Sequence, residues 1–203
     1  MRTSRPRSIA SRYPLWLEFL LYTIGIGCLL WYGVVNAEMY RGQRRERALI
    51  ERTLESSPHA QPAAPAAAFI VGIGQPIGVL EIPRLHMSVA VVNGADGATL
   101  RMAAGHLPDT PMPWERGNSA IAAHRDTFFR PLAHIRTDDE LRMTTPYGEF
   151  RYRVRRTLVV QPEDVWVLSP TRRPCLTLVT CYPFWWVGHA TRRFIVQAES
   201  IAS

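Results

Sequence analysis

The chain has 203 residues, enough for one domain with attachments, and 47% of them are hydrophobic, enough for a core. The net charge of +7 is carried by scattered arginines with no DNA- or RNA-reading motif, which argues against a nucleic-acid partner and for a solvated surface plus a membrane-side cluster. Sixteen prolines and thirteen glycines favour a β-rich, loop-rich body, and three cysteines without C-x-x-C spacing give a zinc site little support.

Residues 1–13 form a basic tail, with Arg2, Arg5, Arg7 and Arg12 and no acid. Residues 14–36 read as a transmembrane anchor. Phe19 to Val35 is an uninterrupted apolar run of about 17 residues, at the short end of what crosses a bilayer. Glu18 lies near its end, within reach of headgroups, and Tyr13, Trp16, Trp31 and Tyr32 sit where interface anchors do. A cleaved signal peptide fits less well, because the run exceeds the usual ~7–15 residues and Asn36-Ala37-Glu38 is a poor cleavage site. The trailing flank, Glu38 to Glu55, mixes five arginines with four acids. Counting basic residues therefore separates the two flanks only slightly. The expected topology is single-pass, with the N-terminus cytoplasmic and the body outside.

Residues 37–68 read as a stalk, with helix-forming Arg44 to Leu49, followed by a Pro/Ala linker from Ser57 to Ala68 that has no core of its own. The body is residues 69–203, where strands alternate with turn signals. Strands are expected at Val79–Ile82, Met87–Val92 and Asn118–Ala123. Glu140–Thr144 and Glu149–Val160 pair across Pro146-Tyr147-Gly148, and Cys175–Cys181 and Arg193–Ala198 complete the set. Thr99 to Ala104 reads as one helical turn. No long amphipathic helix follows the anchor, so the residues alone predict an all-β barrel or sandwich.

One stretch organises the chemistry. Thr177-Leu178-Val179-Thr180 is a buried β-prone run that stops at Cys181, because Pro183 has no N–H to continue a ladder. A free cysteine is often an inert core residue, and a nucleophilic one needs a partner that stabilises the thiolate and a donor for an oxyanion. Cys175 starts the same strand. About six residues of strand, roughly 20 Å, separate it from Cys181, too far for a disulfide. Among the histidines, His59 lies in the linker, His86 in a turn, His134 on a short helix and His189 in the loop after Cys181. His124 ends the run Ser119 to Ala123 as Cys181 ends its own strand, and His106, after Ala103-Ala104-Gly105, is a competing candidate. Arg193 opens Phe194-Ile195-Val196, so an antiparallel return would set it beside the thiol. Arg192 would then point to the other face. The plain alternative is structural histidines and surface charge.

In order, His124-Arg125-Asp126-Thr127-Phe128-Phe129, then Thr177 to Phe184, then Arg193-Phe194-Ile195-Val196 resembles a sortase, and the Cys-Tyr-Pro-Phe form resembles class D sortases and a related Gram-negative group. Ile82 to Leu85, Gly105 to Thr110 and Gly117 to Ala122 support the resemblance, which covers most of residues 76–198. It implies an eight-stranded β-barrel with short helices behind the N-terminal anchor, and His124, Cys181 and Arg193 as the catalytic set. It also implies that His106 is not catalytic. The partners implied are secreted proteins bearing a C-terminal LPxTG-like signal, cleaved after Thr, and an amine acceptor in the cell wall or on another protein. No cofactor is implied. Three positions depart from the pattern: Ala123 where Gly is usual, Ala190-Thr191 where Ala-Pro is common, and Thr137-Asp138 in place of the Gly-Asp expected near Asp138-Asp139.

Rival readings are an L,D-transpeptidase, whose S-x-G-C signature is absent, and a non-catalytic membrane-anchored envelope binding module. The loop carrying Trp185, Trp186 and His189 either shapes the pocket or simply caps the barrel.

Overall fold

The computed structural model describes residues 16–33, 71–186 and 188–201. The basic tail at 1–13, the stalk and linker at 37–68, and His59 lie outside the described residues. The chain divides into two units, residues 1–40 and 41–203. In the first, helix α1 (Trp16–Gly33) is 18 residues long and apolar enough to cross a membrane.

The second unit is an eight-stranded closed barrel. Its strands are β1 (Pro76–Ile82), β2 (Met87–Asn93), β3 (Ala104–His106), β4 (Asn118–Ala122), β5 (Glu140–Thr145), β6 (Gly148–Val160), β7 (Cys175–Tyr182) and β8 (Arg192–Ser200). The order around the barrel is β1-β2-β3-β4-β7-β8-β6-β5, closed by antiparallel β1 and β5. Only the β2–β3 and β4–β7 pairs are parallel.

Alternation decides which way each strand faces. On β5, Leu141, Met143 and Thr145 are buried while Glu140, Arg142 and Thr144 are not; on β6, Tyr152 and Val154 point in between exposed Arg151, Arg153 and Arg155. Leu80, Leu141, Met143, Leu176, Leu178 and Phe129 have no solvent exposure and form the centre of the core. Removing one such side chain to Ala costs about 2–5 kcal/mol. The Tyr152 hydroxyl, buried among them, donates to the Pro113 carbonyl at 2.8 Å, and burial pushes its pKa up.

Strands β4 and β7 are covered on both faces, which is why they read as continuous small or apolar runs rather than alternating ones. Their second face lies under the 3-10 turn Val165–Leu168. Asn118 ties the layers together: its amide donates to Val167 O at 3.0 Å and accepts from Thr177 Oγ1 at 2.6 Å.

The expected helical turn is α2 (Gly97–Met102), capped by Asp96, whose carboxylate accepts from the N–H groups of Ala98 and Thr99 at 2.8 and 3.1 Å. Ala104 does not belong to it. Ala104-Gly105-His106 forms β3, a strand that three residues of weak β propensity do not announce. Its place comes from tertiary pairing, and Gly105 permits it, since a Cβ there would stand 2.3 Å from Gly94 O.

Candidate active site

Register builds the site. The parallel β4–β7 ladder runs from Asn118↔Cys175 to Ala122↔Val179. Ala123 N–H donates to Val179 O at 3.2 Å, and Thr180 Oγ1 donates to Ala123 O at 2.7 Å. The chain thus leaves β4 alongside the end of β7, carrying His124 to the level of Cys181. On the other side the antiparallel β7–β8 ladder pairs Cys181 directly with Arg193. Strand β7 ends at Tyr182, before Pro183, as a residue without an N–H requires.

The result is a cleft of about 280 Å³ on the barrel rim. Cys181, His124 and Arg193 line it together with Arg125 and Asp126, and Gly188, His189 and Ala190 supply the wall formed by the β7–β8 loop. Cys181, His124 and Arg193 are all half-buried, so they are reachable yet partly shielded. The Cys181 thiol is free. The Arg193 guanidinium donates to backbone carbonyls of its own segment, Arg192 O at 3.1 Å and Ala190 O at 3.5 Å, and takes part in none of the ion pairs among the described residues. Among the described residues no carboxylate claims its charge. Arg192 is exposed and does not line the cleft.

The other histidines stand elsewhere or play other parts. His106 is fully buried on β3; its ring nitrogens face Asn93 Oδ1 at 3.2 Å and Pro111 O at 3.0 Å, and burial lowers its pKa. His86 ends a turn in left-handed backbone (φ 50°). His134 closes the 3-10 turn Arg130–His134, its ring 6.3 Å from that of Trp185. His189 lies in the cleft wall and is exposed. Cys175, at the far end of β7, is a buried free thiol whose pKa burial pushes up. Among the described residues no group of three or more His, Cys, Asp or Glu could hold a metal ion.

Two features of the rim escaped the sequence. Arg125, which reads there as one arginine in a polar loop, is buried and donates to the carbonyls of Pro183, Trp186 and Gly188. No pattern singles it out among so many arginines; the signal is an irregular loop whose carbonyls need donors. The second is Asp139, which is buried and ion-paired with Arg84, while the residue before it, Asp138, takes left-handed backbone at φ 69°.

A family model described as the sortase domain matches residues 80–201. Sortase D of Bacillus subtilis is 35% identical over 136 residues, which cover 66% of this chain and 69% of that protein. Sortase A of Listeria monocytogenes is 24% identical over 127 residues, 61% of this chain and 55% of its own length. Among solved structures, a sortase D5 transpeptidase of Clostridium perfringens superposes with a TM-score of 0.62 at 23% identity, covering 80% of this chain and 98% of that one. The SrtA sortase of Actinomyces oris superposes at 0.58 with 30% identity, covering 68% and 86%. Closed barrel, motif-bearing strand ends and family match coincide over the same residues, and the chain belongs to the sortase family.

Proposed function

We propose that this chain is a membrane-anchored, class D-like cysteine transpeptidase that cleaves an LPxTG-like C-terminal signal after its Thr and passes the acyl group to an amine. The observation that carries the reading is the register that sets Cys181 between His124 and Arg193 on one rim. A thiolate, a proton carrier and a guanidinium donor are what acyl transfer through a thioester requires.

Cys181 Sγ adds to the carbonyl carbon of the Thr, and Arg193 donates to the oxygen that becomes negative. Collapse breaks the C–N bond, and His124 gives its proton to the departing amine. In the second half an incoming amine adds to the thioester and yields a proton to His124, and the Cys181 thiolate leaves. One amide replaces another. Water in place of the amine gives hydrolysis.

Residues 14–36 act as the anchor in this reading. The 18 residues of α1 span about 27 Å at 1.5 Å per residue, close to a bilayer's apolar thickness. With residues 1–13 in the cytoplasm, the body at 69–203 sits outside, where secreted substrates emerge, and tethering raises their effective concentration. The partners are secreted proteins bearing the signal and an amine acceptor in the envelope.

Mixing the enzyme with LPxTG-type peptides and recording intact mass tests this. A thioester on Cys181 that is absent in Cys181→Ala is the expected result. Peptides left intact, with no adduct, would overturn it.

A further inference from the structure

We propose that Arg125 is a positioning residue: it holds the loop after Cys181 as a wall of the cleft, and so sets how the acyl group divides between amine and water. This rests on the transpeptidase reading above and goes beyond its three reacting residues.

Arg125 directly follows His124 and is only 8% exposed. Its Nη1 donates to Pro183 O at 2.8 Å, and its Nη2 to Trp186 O at 2.9 Å and Gly188 O at 2.8 Å. It enters no ion pair among the described residues. A buried guanidinium without a carboxylate is costly unless dipoles solvate it, and here three carbonyls of one loop converge on it. The dependence is mutual. Among the described residues, no backbone–backbone hydrogen bond outside the helices and strands involves residues 183–190. The loop's remaining tie of this kind is the long 3.5 Å contact from Arg193 to Ala190 O. Phe184 packs against the core and edge-on to Phe194, so the start of the loop is also held by apolar contact; the polar ties of its backbone past that point converge on Arg125, which is fixed to the strand end that carries His124.

That segment also brings Gly188 and His189 to the cleft and carries the exposed Trp185 and Trp186. An amine must approach the thioester past this wall, and a wall that wanders lets water compete. Charge alone does not do this. A lysine keeps the charge but cannot fork to carbonyls at both ends of the loop.

The test uses full-length wild type, Arg125→Ala and Arg125→Lys in lipid nanodiscs, with an LPxTG-type peptide and a glycine-based amine. Rates are normalised to the number of Cys181 sites that acylate, which removes any unfolded fraction. Both variants are expected to lose about tenfold or more in the ratio of aminolysis to hydrolysis, as misplaced reacting groups do. Amide exchange should quicken in residues 183–190 while β4 and β7 stay protected. If Arg125→Ala does not fold, Arg125→Lys is read alone. A wild-type ratio in the folded variants, or a lysine variant equal to wild type, overturns the inference and leaves the transpeptidase reading intact. A wild type that forms no thioester overturns both.

Discussion

The Thr180 hydroxyl on β7 donates to the carbonyl of Ala123, at 2.7 Å, one residue before His124 and one residue before Cys181. The bond lies past the last ladder pair of β4 and β7 and extends their parallel register to the rim. Thr180→Val keeps the shape and removes the donor, leaving a buried carbonyl short of a partner. That should cost about 1–3 kcal/mol in urea unfolding. Thioester formation on Cys181 should slow as well, whereas Thr180→Ser should preserve both.

The Arg84–Asp139 pair fastens the turn Pro83–Leu85 to the segment before β5. Asp139 also accepts from Arg136 N–H at 2.7 Å, and Arg84 Nη2 reaches His134 O at 2.6 Å. The hydrogen bond from Arg84, more than any other cause, holds the Asp139 carboxyl below its ordinary pKa. A depressed carboxylate pKa adds stability that is complete above the unfolded value, near pH 4, and is lost as pH falls through the lower folded value. Asp139→Asn should therefore lower the unfolding midpoint at neutral pH. The gap from wild type should close as both are titrated below about pH 4, which paired urea melts across pH would record.

Asp138, exposed and at φ 69°, holds a conformation that glycine takes without strain. Asp138→Gly should be neutral to stabilising, by up to about 1 kcal/mol, since relief of left-handed strain outweighs glycine's extra unfolded-state entropy. A thermal melt shifted clearly downward would show that the Asp138 side chain contributes more than its backbone strain costs.

What the sequence discloses, and what it withholds, follows from where the information resides. The rim positions of Cys181 and His124 are legible because each ends a buried run, and that of Arg193 because it opens the next run. Seven of the eight strands carry their own pattern of period or composition. Strand β3 does not: Ala-Gly-His has no propensity to speak of, and its pairing depends on neighbours that arrive from either side in the chain. The role of Arg125 is hidden for a similar reason, since it depends on three carbonyls about sixty residues downstream. The left-handed backbone of Asp138 and the ion pair of Asp139 with Arg84 are likewise set by the fold, and neither residue type reports them.

In the proposed transpeptidase Cys181, His124 and Arg193 act as one unit, and single-turnover acylation rates of His124→Ala, Arg193→Ala and the double variant test this. Each single change is expected to slow thioester formation by at least about a hundredfold, and the double loss to fall well short of the product of the two. A single variant that acylates Cys181 at the wild-type rate would overturn the unit.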